Sequence, residues 1–232
     1  MKIPQLRKQT EKKNCHGYSW EDDYSWIHQD NCLEILRDTK KLNPEVRKYL
    51  EEENSYTKEI MRDTENLQKK IFKEIEGRIK LDDESLPFKD KKYDYWTKTT
   101  KEGNYAKKLR KKIGSDKVEC YFDGDLEAKG KKFFSTGDLA VSNNDEFLAF
   151  SVDDKGGEYF TIFIRRIEDN KIIDKIEDTA GGIVWSYDDK SFFYRKHDSQ
   201  KRPRQILQHR LGSPSTEDIL IFEEKDERFT CS

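Results

Sequence analysis

The sequence predicts an α+β chain, a helical N-terminal segment followed by a mainly β, incomplete propeller, and two observations carry that prediction. The first is a repeat. Gly181 to Tyr194 reads GGIVWSYDDKSFFY: an apolar run, an Asp-bearing turn and a second apolar run, the pattern of a β-hairpin. Leu139 to Phe150 reads LAVSNNDEFLAF and has the same design. Aligning Ser142 with Ser186 sets Asn144-Asp145 on Asp188-Asp189, Val141 on Trp185 and Phe150 on Tyr194. The offset of 44 residues falls within the roughly 40–50-residue period of propeller blades. The second observation is a change of period. Apolar residues are spaced helically up to about residue 80, then alternate with charged ones from about Leu86. The chain therefore divides into an arm with helices, 1–85, and a partial propeller, 86–232.

Met1 to Tyr18 is polar and basic and predicts a loose arm. Asp22-Asp23-Tyr24-Ser25-Trp26-Ile27 sets an aromatic pair among acids, a hydrophobic anchor for that arm. Asn43-Pro44-Glu45 is a helix start, with Asn as cap, Pro at the first helical position and an acid in the first turn. Val46, Tyr49, Leu50 and Glu53 follow at near-helical spacing. Asp63-Thr64 offers a second cap, and Leu67, Ile71 and Ile75 form a stripe ending before Gly77. Such stripes ordinarily pack against another element.

From Leu86 the strands begin. Tyr93, Tyr95 and Thr97 alternate with charged residues, and Glu102-Gly103-Asn104 turns the chain into a return strand, Tyr105 to Lys112, that carries a basic run. Val118 to Phe122 is a further strand before a turn at Asp123-Gly124. Each aligned hairpin then continues outward. Tyr159 to Ile167 and Ile172 to Ile176 follow the first, and Arg204 to Leu211 and Ile219 to Phe222 follow the second. Four strands per period is the composition of a propeller blade. One more period after Ser186 falls at residue 230, so Phe229 to Ser232 is expected to open a further blade.

Composition narrows the class. Forty per cent of residues are charged and 33% hydrophobic, which would suit disorder. The formal net charge of only −2 and the 12% aromatic content, gathered in apolar runs, point instead to a folded chain with a charged surface. That balance gives no reason to expect nucleic acid or an anionic membrane as partner. No run has signal-peptide or membrane-spanning length, and the expected location is cytoplasmic. Cys15, Cys32, Cys120 and Cys231 are scattered without a CxxC pair, the pattern of free thiols.

No residue carries a catalytic, cofactor-binding or metal-binding pattern. A Ser-His-Asp enzyme presents its nucleophile on a strained turn, typically GxSxG, and the chain contains none. Its Gly-Ser pairs are Gly114-Ser115 and Gly212-Ser213. The histidines, His16, His28, His197 and His209, lack a second histidine at ligand spacing, and the last two fall on predicted strands, where packing is expected. Cys15-His16 are mere neighbours in the predicted arm. Gly156-Gly157 and Gly181-Gly182 are turn glycines without a phosphate-loop pattern. Asp82, Asp83 and Glu84 offer an acidic patch for a basic peptide, or more simply a solvated linker.

The order and spacing of several stretches resemble the prolyl oligopeptidase family, in particular its oligopeptidase B branch. They are Asp22 to Trp26; Pro44-Glu45-Val46 through Glu52 to Tyr56; Gly77 to Lys80 with Asp82-Asp83; Phe134 to Ser142; and Ser151-Val152-Asp153. Further on come Gly181 to Trp185, His209-Arg210-Leu211-Gly212 and Glu223 to Phe229. The resemblance runs from about Asp22 to Phe229. It implies helices that wrap toward a peptidase domain and the first two to three blades of an expected seven-bladed propeller that admits only short peptides. It also implies a serine hydrolase domain following in sequence, with cleavage after Lys or Arg. Ala106 to Arg110 departs from it, being more basic and less aromatic than the family's stretch, which puts that strand in question.

On this reading the chain is a gating and docking portion, inactive alone, whose partner is a separately encoded remainder of the peptidase. No cofactor is implied, and basic peptides would bind only the complete enzyme. A blade-based interaction module that recruits a partner through open sheet edges is the alternative. A WD-type propeller is disfavoured by the missing Gly-His and Trp-Asp signatures. Blades without a closed ring lack neighbours for their apolar faces, so the β half is expected to be marginally stable.

Overall fold

The chain was analysed as a computed structural model that describes residues 2–232. It resolves into two compact units, Met1–Lys80 and Leu81–Ser232.

The first unit opens with a hairpin. Strands β1 (Glu11–Cys15) and β2 (Tyr18–Asp22) pair from Glu11↔Asp22 to Cys15↔Tyr18. His16 and Gly17, both at positive φ (49° and 84°), make the two-residue connection. The loose arm expected over this stretch is thus corrected, because the left-handed His16-Gly17 pair closes a ladder that the polar sequence does not advertise. Trp26 anchors the arm, its indole Nε1 donating to the Arg7 carbonyl at 3.0 Å beneath the Arg7 guanidinium.

A short helix α1 (Cys32–Arg37) precedes α2 (Pro44–Met61), whose N-cap Asn43 accepts the Glu45 amide at 2.8 Å. Helix α3 (Glu65–Glu76) follows with no fresh cap. Thr64 donates its hydroxyl back to the Met61 carbonyl, and a 3-10 turn at Arg62–Thr64 carries α2 almost continuously into α3. The apolar stripe Leu67, Ile71 and Ile75 remains 56%, 46% and 56% exposed, so the expected packing of this face is absent among the described residues.

The second unit is built of three antiparallel sheets. In the first, β5 (Tyr93–Thr99), β6 (Lys107–Lys112) and β7 (Val118–Asp123) run side by side. The short strands β3 (Asp83–Glu84) and β4 (Phe88–Asp90) both pair with the free edge of β5. The basic run does form its strand. Lys107 meets Asp123 at 2.7 Å, Lys108 donates to Thr97, and Arg110 holds Glu119 at 3.0 Å while resting over the Tyr93 ring. The charges are tolerated because the flanking strands supply partners. The turn expected at Asp123-Gly124 is instead helix α4 (Gly124–Ala128), capped by the Asp123 carboxylate on the Leu126 amide.

The second sheet has the order β11-β10-β9-β8, from β8 (Ser135–Val141), β9 (Phe147–Asp153), β10 (Phe160–Arg166) and β11 (Ile172–Thr179). The third has the order β12-β13-β14-β15, from β12 (Val184–Trp185), β13 (Ser191–His197), β14 (Pro203–Arg210) and β15 (Ile219–Glu223). The two aligned hairpins are β8–β9 and β12–β13, and their turns repeat atom for atom. Ser142 accepts the Phe147 amide on its hydroxyl and donates its own amide to Phe147, as Ser186 does with Ser191. Asp145 and Asp189 take the left-handed position, at φ 67° and 56°.

Two apolar clusters hold the sheets face to face. Phe122, Phe134, Leu148, Phe150 and Val152 fill the space between first and second sheet. Ala149, Ile162, Ile164, Ile176, Phe192, Tyr194 and Leu207 fill the space between second and third. Strand β9 serves both, since successive side chains point to opposite faces of a strand. The sheets are open, and the far side of the third is poorly covered: Ile219 to Phe222 are each at least 50% exposed.

Candidate functional site

Sequence-selected residues fall into separate places. Cys15 and His16 lie at the exposed tip of the first hairpin, and His28 closes the 3-10 turn Ser25–Ile27. The Asp82 carboxylate accepts the Lys101 amide, and Glu84 pairs with Lys98 at 2.5 Å. Asp82 to Glu84 is exposed to solvent, as the simpler expectation has it, and forms the rim of the first sheet where β3 pairs with the end of β5. The Ser115 hydroxyl accepts the Lys117 amide, and the Ser213 hydroxyl donates to the Arg210 carbonyl. Gly156 sits in a loop wrapped around the Asp153 carboxylate, which accepts the amides of Lys155, Gly156 and Glu158. Asp198, one sheet later, accepts those of Gln200 and Arg202 in the same way. Gly181 and Gly182, at φ 69° and 77°, are required by close approach: a Cβ on Gly182 would meet Arg195 Nε at 2.2 Å.

What the fold brings together is a buried network around His209. The ring is 0% exposed. Its Nδ1 lies 2.7 Å from Asp218 Oδ1 and its Nε2 3.0 Å from Asp174 Oδ2. Asp218 also accepts the Tyr194 hydroxyl at 2.7 Å, and burial together with that carboxylate raises the Tyr194 phenol far above its ordinary range. Asp174 also accepts the Gly212 amide at 2.8 Å. An imidazole on a carboxylate supplies two members of a hydrolytic triad, but the third, a nucleophilic hydroxyl, is needed on the other ring nitrogen. Here that nitrogen faces a second carboxylate, and the ring itself is closed to solvent while the Asp174 side chain is 12% exposed. It ties β11, β14 and the segment before β15 together.

The second feature is the seam between sheets. Both oxygens of Asp189 are engaged by the preceding turn: Asn143 N and Nδ2 donate to Oδ1 at 2.6 and 2.9 Å, and Asn144 N to Oδ2 at 2.8 Å. Trp185 Nε1 donates to the Ala140 carbonyl at 2.9 Å, and the Gly182 amide to Asp138 Oδ2 at 2.6 Å. One repeat earlier, Asp145 is held by the first sheet, with Tyr95 donating to Oδ1 at 3.2 Å and Arg110 to its carbonyl at 2.8 Å. The seam recurs because the repeat recurs. A cleft of about 750 Å³ beside the first seam mixes cations (Lys92, Lys112, Arg166) with carboxylates (Glu119, Glu146, Glu168) and presents no single charge to a ligand. Among the described residues no group of three His, Cys, Asp or Glu side chains is placed to hold a metal ion, and no helix is long and apolar enough to cross a membrane.

Sequence reasoning missed the Asp174–His209–Asp218 cluster and the Asp153 and Asp198 loops. The recurrence of Asp after the second strand of each repeat was the available signal for the loops.

Comparison with known proteins agrees with this architecture. Residues 4–232 match the family model for the prolyl oligopeptidase N-terminal beta-propeller domain. The chain is 28% identical to a dipeptidyl aminopeptidase BI from Pseudoxanthomonas mexicana, over 92% of this chain and 31% of that protein. It is 29% identical to Protease 2 of Moraxella lacunata, over 99% and 33%. Among solved structures, oligopeptidase B from Leishmania major superposes with a TM-score of 0.86 at 28% identity, covering 97% of this chain and 33% of that one. The chain thus spans about a third of the length of the relatives it matches.

Proposed function

The chain belongs to the prolyl oligopeptidase family, matching its N-terminal propeller domain, and from that premise we propose that it is the gating and docking part of an oligopeptidase B-like serine peptidase. The observation that carries the proposal is the repeated seam, Asp189 on Asn143 and Asn144, which stacks the third sheet on the second face to face as blades stack in a propeller. On this reading the three sheets are the first blades of a larger ring, expected to have seven. The division near residues 80–86 separates the docking helices from the blades, and the open stripe Leu67, Ile71 and Ile75 is the surface that meets the remainder of the enzyme.

No residue of the chain is assigned to catalysis, a cofactor or a metal. Cleavage of short peptides after Lys or Arg, in the cytoplasm, is assigned to the assembled enzyme. The experiment is to incubate the purified chain with an arginyl chromogenic substrate, alone and with a polypeptide carrying the rest of such a peptidase. Turnover only in the mixture supports the reading. Serine-inhibitor-sensitive turnover by the chain alone overturns it.

A second reading is favoured by β15. Its Ile219-Leu220-Ile221-Phe222 run is exposed at the edge of the third sheet and offers an unpaired ladder to another strand. As a stand-alone interaction module the chain would associate through that edge. Light scattering on the eluting chain distinguishes the two: concentration-dependent association abolished by Ile221→Lys favours the module, and a stable monomer opposes it.

A further inference from the structure

Resting on the reading of these sheets as blades, we propose that the outer face of the third sheet is one half of a further seam. Its occupant is another antiparallel sheet that carries an aspartate in its first turn and lies face on, rather than adding at the β15 edge. The existing seam sets the pattern. Asp189 gives one oxygen to the Asn143 amide and the other to the Asn144 amide. Tyr187 and Asp188 stand 44 residues after that pair. Their turn is closed in the same way, Asp189 N donating to the Ser186 carbonyl at 3.1 Å as Asp145 N does to that of Ser142. Asp188 spends its carboxylate inside the turn, on the Ser186 hydroxyl and the Lys190 amide, just as Asn144 spends its side-chain oxygen on Ser142 and Glu146. The amides of Tyr187 and Asp188 find no acceptor in any other of the described residues, and Tyr187 is 97% exposed. Successive backbone N–H groups in a turn form a cradle for an anion, and one repeat earlier the same cradle holds a carboxylate.

An apolar face lies beside the cradle. On the second sheet Ala149 and Ile162 are fully buried beneath the third, and Ala140 packs with them. Val184, Phe193 and Ile206 follow these three by 44 residues, and Val184 stands opposite Phe193 as Ala140 stands opposite Ala149. Phe193 lies between Phe192 and Tyr194, which belong to the core against the second sheet, so it points the other way. Val184, its cross-strand partner, is 63% exposed.

The chemistry of the cradle selects the occupant. The two amides of the earlier turn go to different oxygens, and a carboxylate offers two where a side-chain amide offers one. A second copy of the chain has no such group to give. Its three sheets carry Lys91, Asp145 and Asp189 at the left-handed position of the first turn, with φ of 50°, 67° and 56°. Lys91 would set donors against donors. Asp145 is buried against the first sheet, and both oxygens of Asp189 are taken.

The test is amide hydrogen exchange read by NMR on the 232-residue chain, alone and mixed with a polypeptide carrying the rest of Protease 2 of Moraxella lacunata, the part this chain does not match. In the free chain the amides of Asn143 and Asn144 are expected to exchange slowly and those of Tyr187 and Asp188 freely. In the mixture the second pair is expected to become slow. Tyr187→Pro removes one donor at the second position of the turn, a place that favours proline. It is expected to weaken association about 10- to 100-fold and to leave the urea midpoint of the free chain unchanged. Tyr187→Ala keeps the amide and is expected to bind like the unsubstituted chain. A complex in which Tyr187 and Asp188 still exchange freely, or one that Tyr187→Pro weakens no more than Tyr187→Ala does, overturns the proposal and leaves the blade reading standing. No complex with the unsubstituted chain overturns both. The exchange readout needs no substitution, so it decides the matter even where Tyr187→Pro does not fold.

Discussion

Asp189 grips Asn143 twice through one oxygen, accepting its backbone amide at 2.6 Å and its side-chain amide at 2.9 Å. The two residues sit in equivalent turns of successive repeats, so this contact is where one sheet registers on the next. Removing the acceptor leaves three donors of the preceding turn to solvent. Asp189→Ala is expected to cost about 1–3 kcal/mol, partly from the lost charge-assisted bonds and partly from the left-handed backbone, which Ala tolerates poorly. Asp189→Asn keeps one oxygen and a residue suited to that conformation, and should cost less. Urea unfolding of the three chains checks the order.

The core between second and third sheet is closed, whereas the far side of the third is open. Phe192 is fully buried, so Phe192→Ala should lose about 3–5 kcal/mol. Phe222 is half exposed on β15, and Phe222→Ala should cost well under half as much. Equal losses in denaturant titrations would mean that the outer face is covered in solution.

A partly buried histidine, His197, makes the fold sensitive to acid. His197 packs edge-on against Tyr159, and its Nδ1 is buried without a partner. Burial first, then the nearby Lys201, hold it below the ordinary imidazole range. A base depressed in the folded state stabilises the fold above the unfolded value, about 6.5, and that contribution is lost as pH falls below it. The thermal midpoint is therefore expected to drop on acidification from pH 7 to 5, and His197→Gln should shallow the drop. A pH-independent midpoint over that range would contradict this.

Thiol titration reads the fold directly. Cys15, Cys32 and Cys120 are exposed, while Cys231 is buried with its thiol on the Arg204 carbonyl. Three thiols should react with a disulfide reagent in the native chain and the fourth only on unfolding. Cys120 should lag behind Cys15, because burial, with Asp123 nearby, pushes its thiol up and depletes the thiolate.

Much of the fold was legible where a residue's neighbours in sequence are also its neighbours in space. Asn43 caps its helix through the amide two residues on, and Ser142 and Ser186 each close a turn by bonding the residue five positions later. The readings failed where the partner lies far off. The basic strand β6 looked doubtful because Lys107 and Arg110 find Asp123 and Glu119 only across the sheet. The first hairpin was missed because its pairs, such as Lys13↔Trp20, show no apolar alternation. Thr64 looked like a cap, yet its hydroxyl turns back to Met61.

The 44-residue period, the helical-to-strand change and the family were all legible in local order and spacing. How the repeats join, and which charged groups become buried, depends on contacts between residues far apart in the chain. Asp174 stands 35 residues from His209 and meets its ring through the packing of the third sheet on the second, while Asp218, nine residues on, is brought back by the turn from β14 to β15. Desolvation and hydrogen bonding act on distance in space, and those distances exist only after the sheets have stacked.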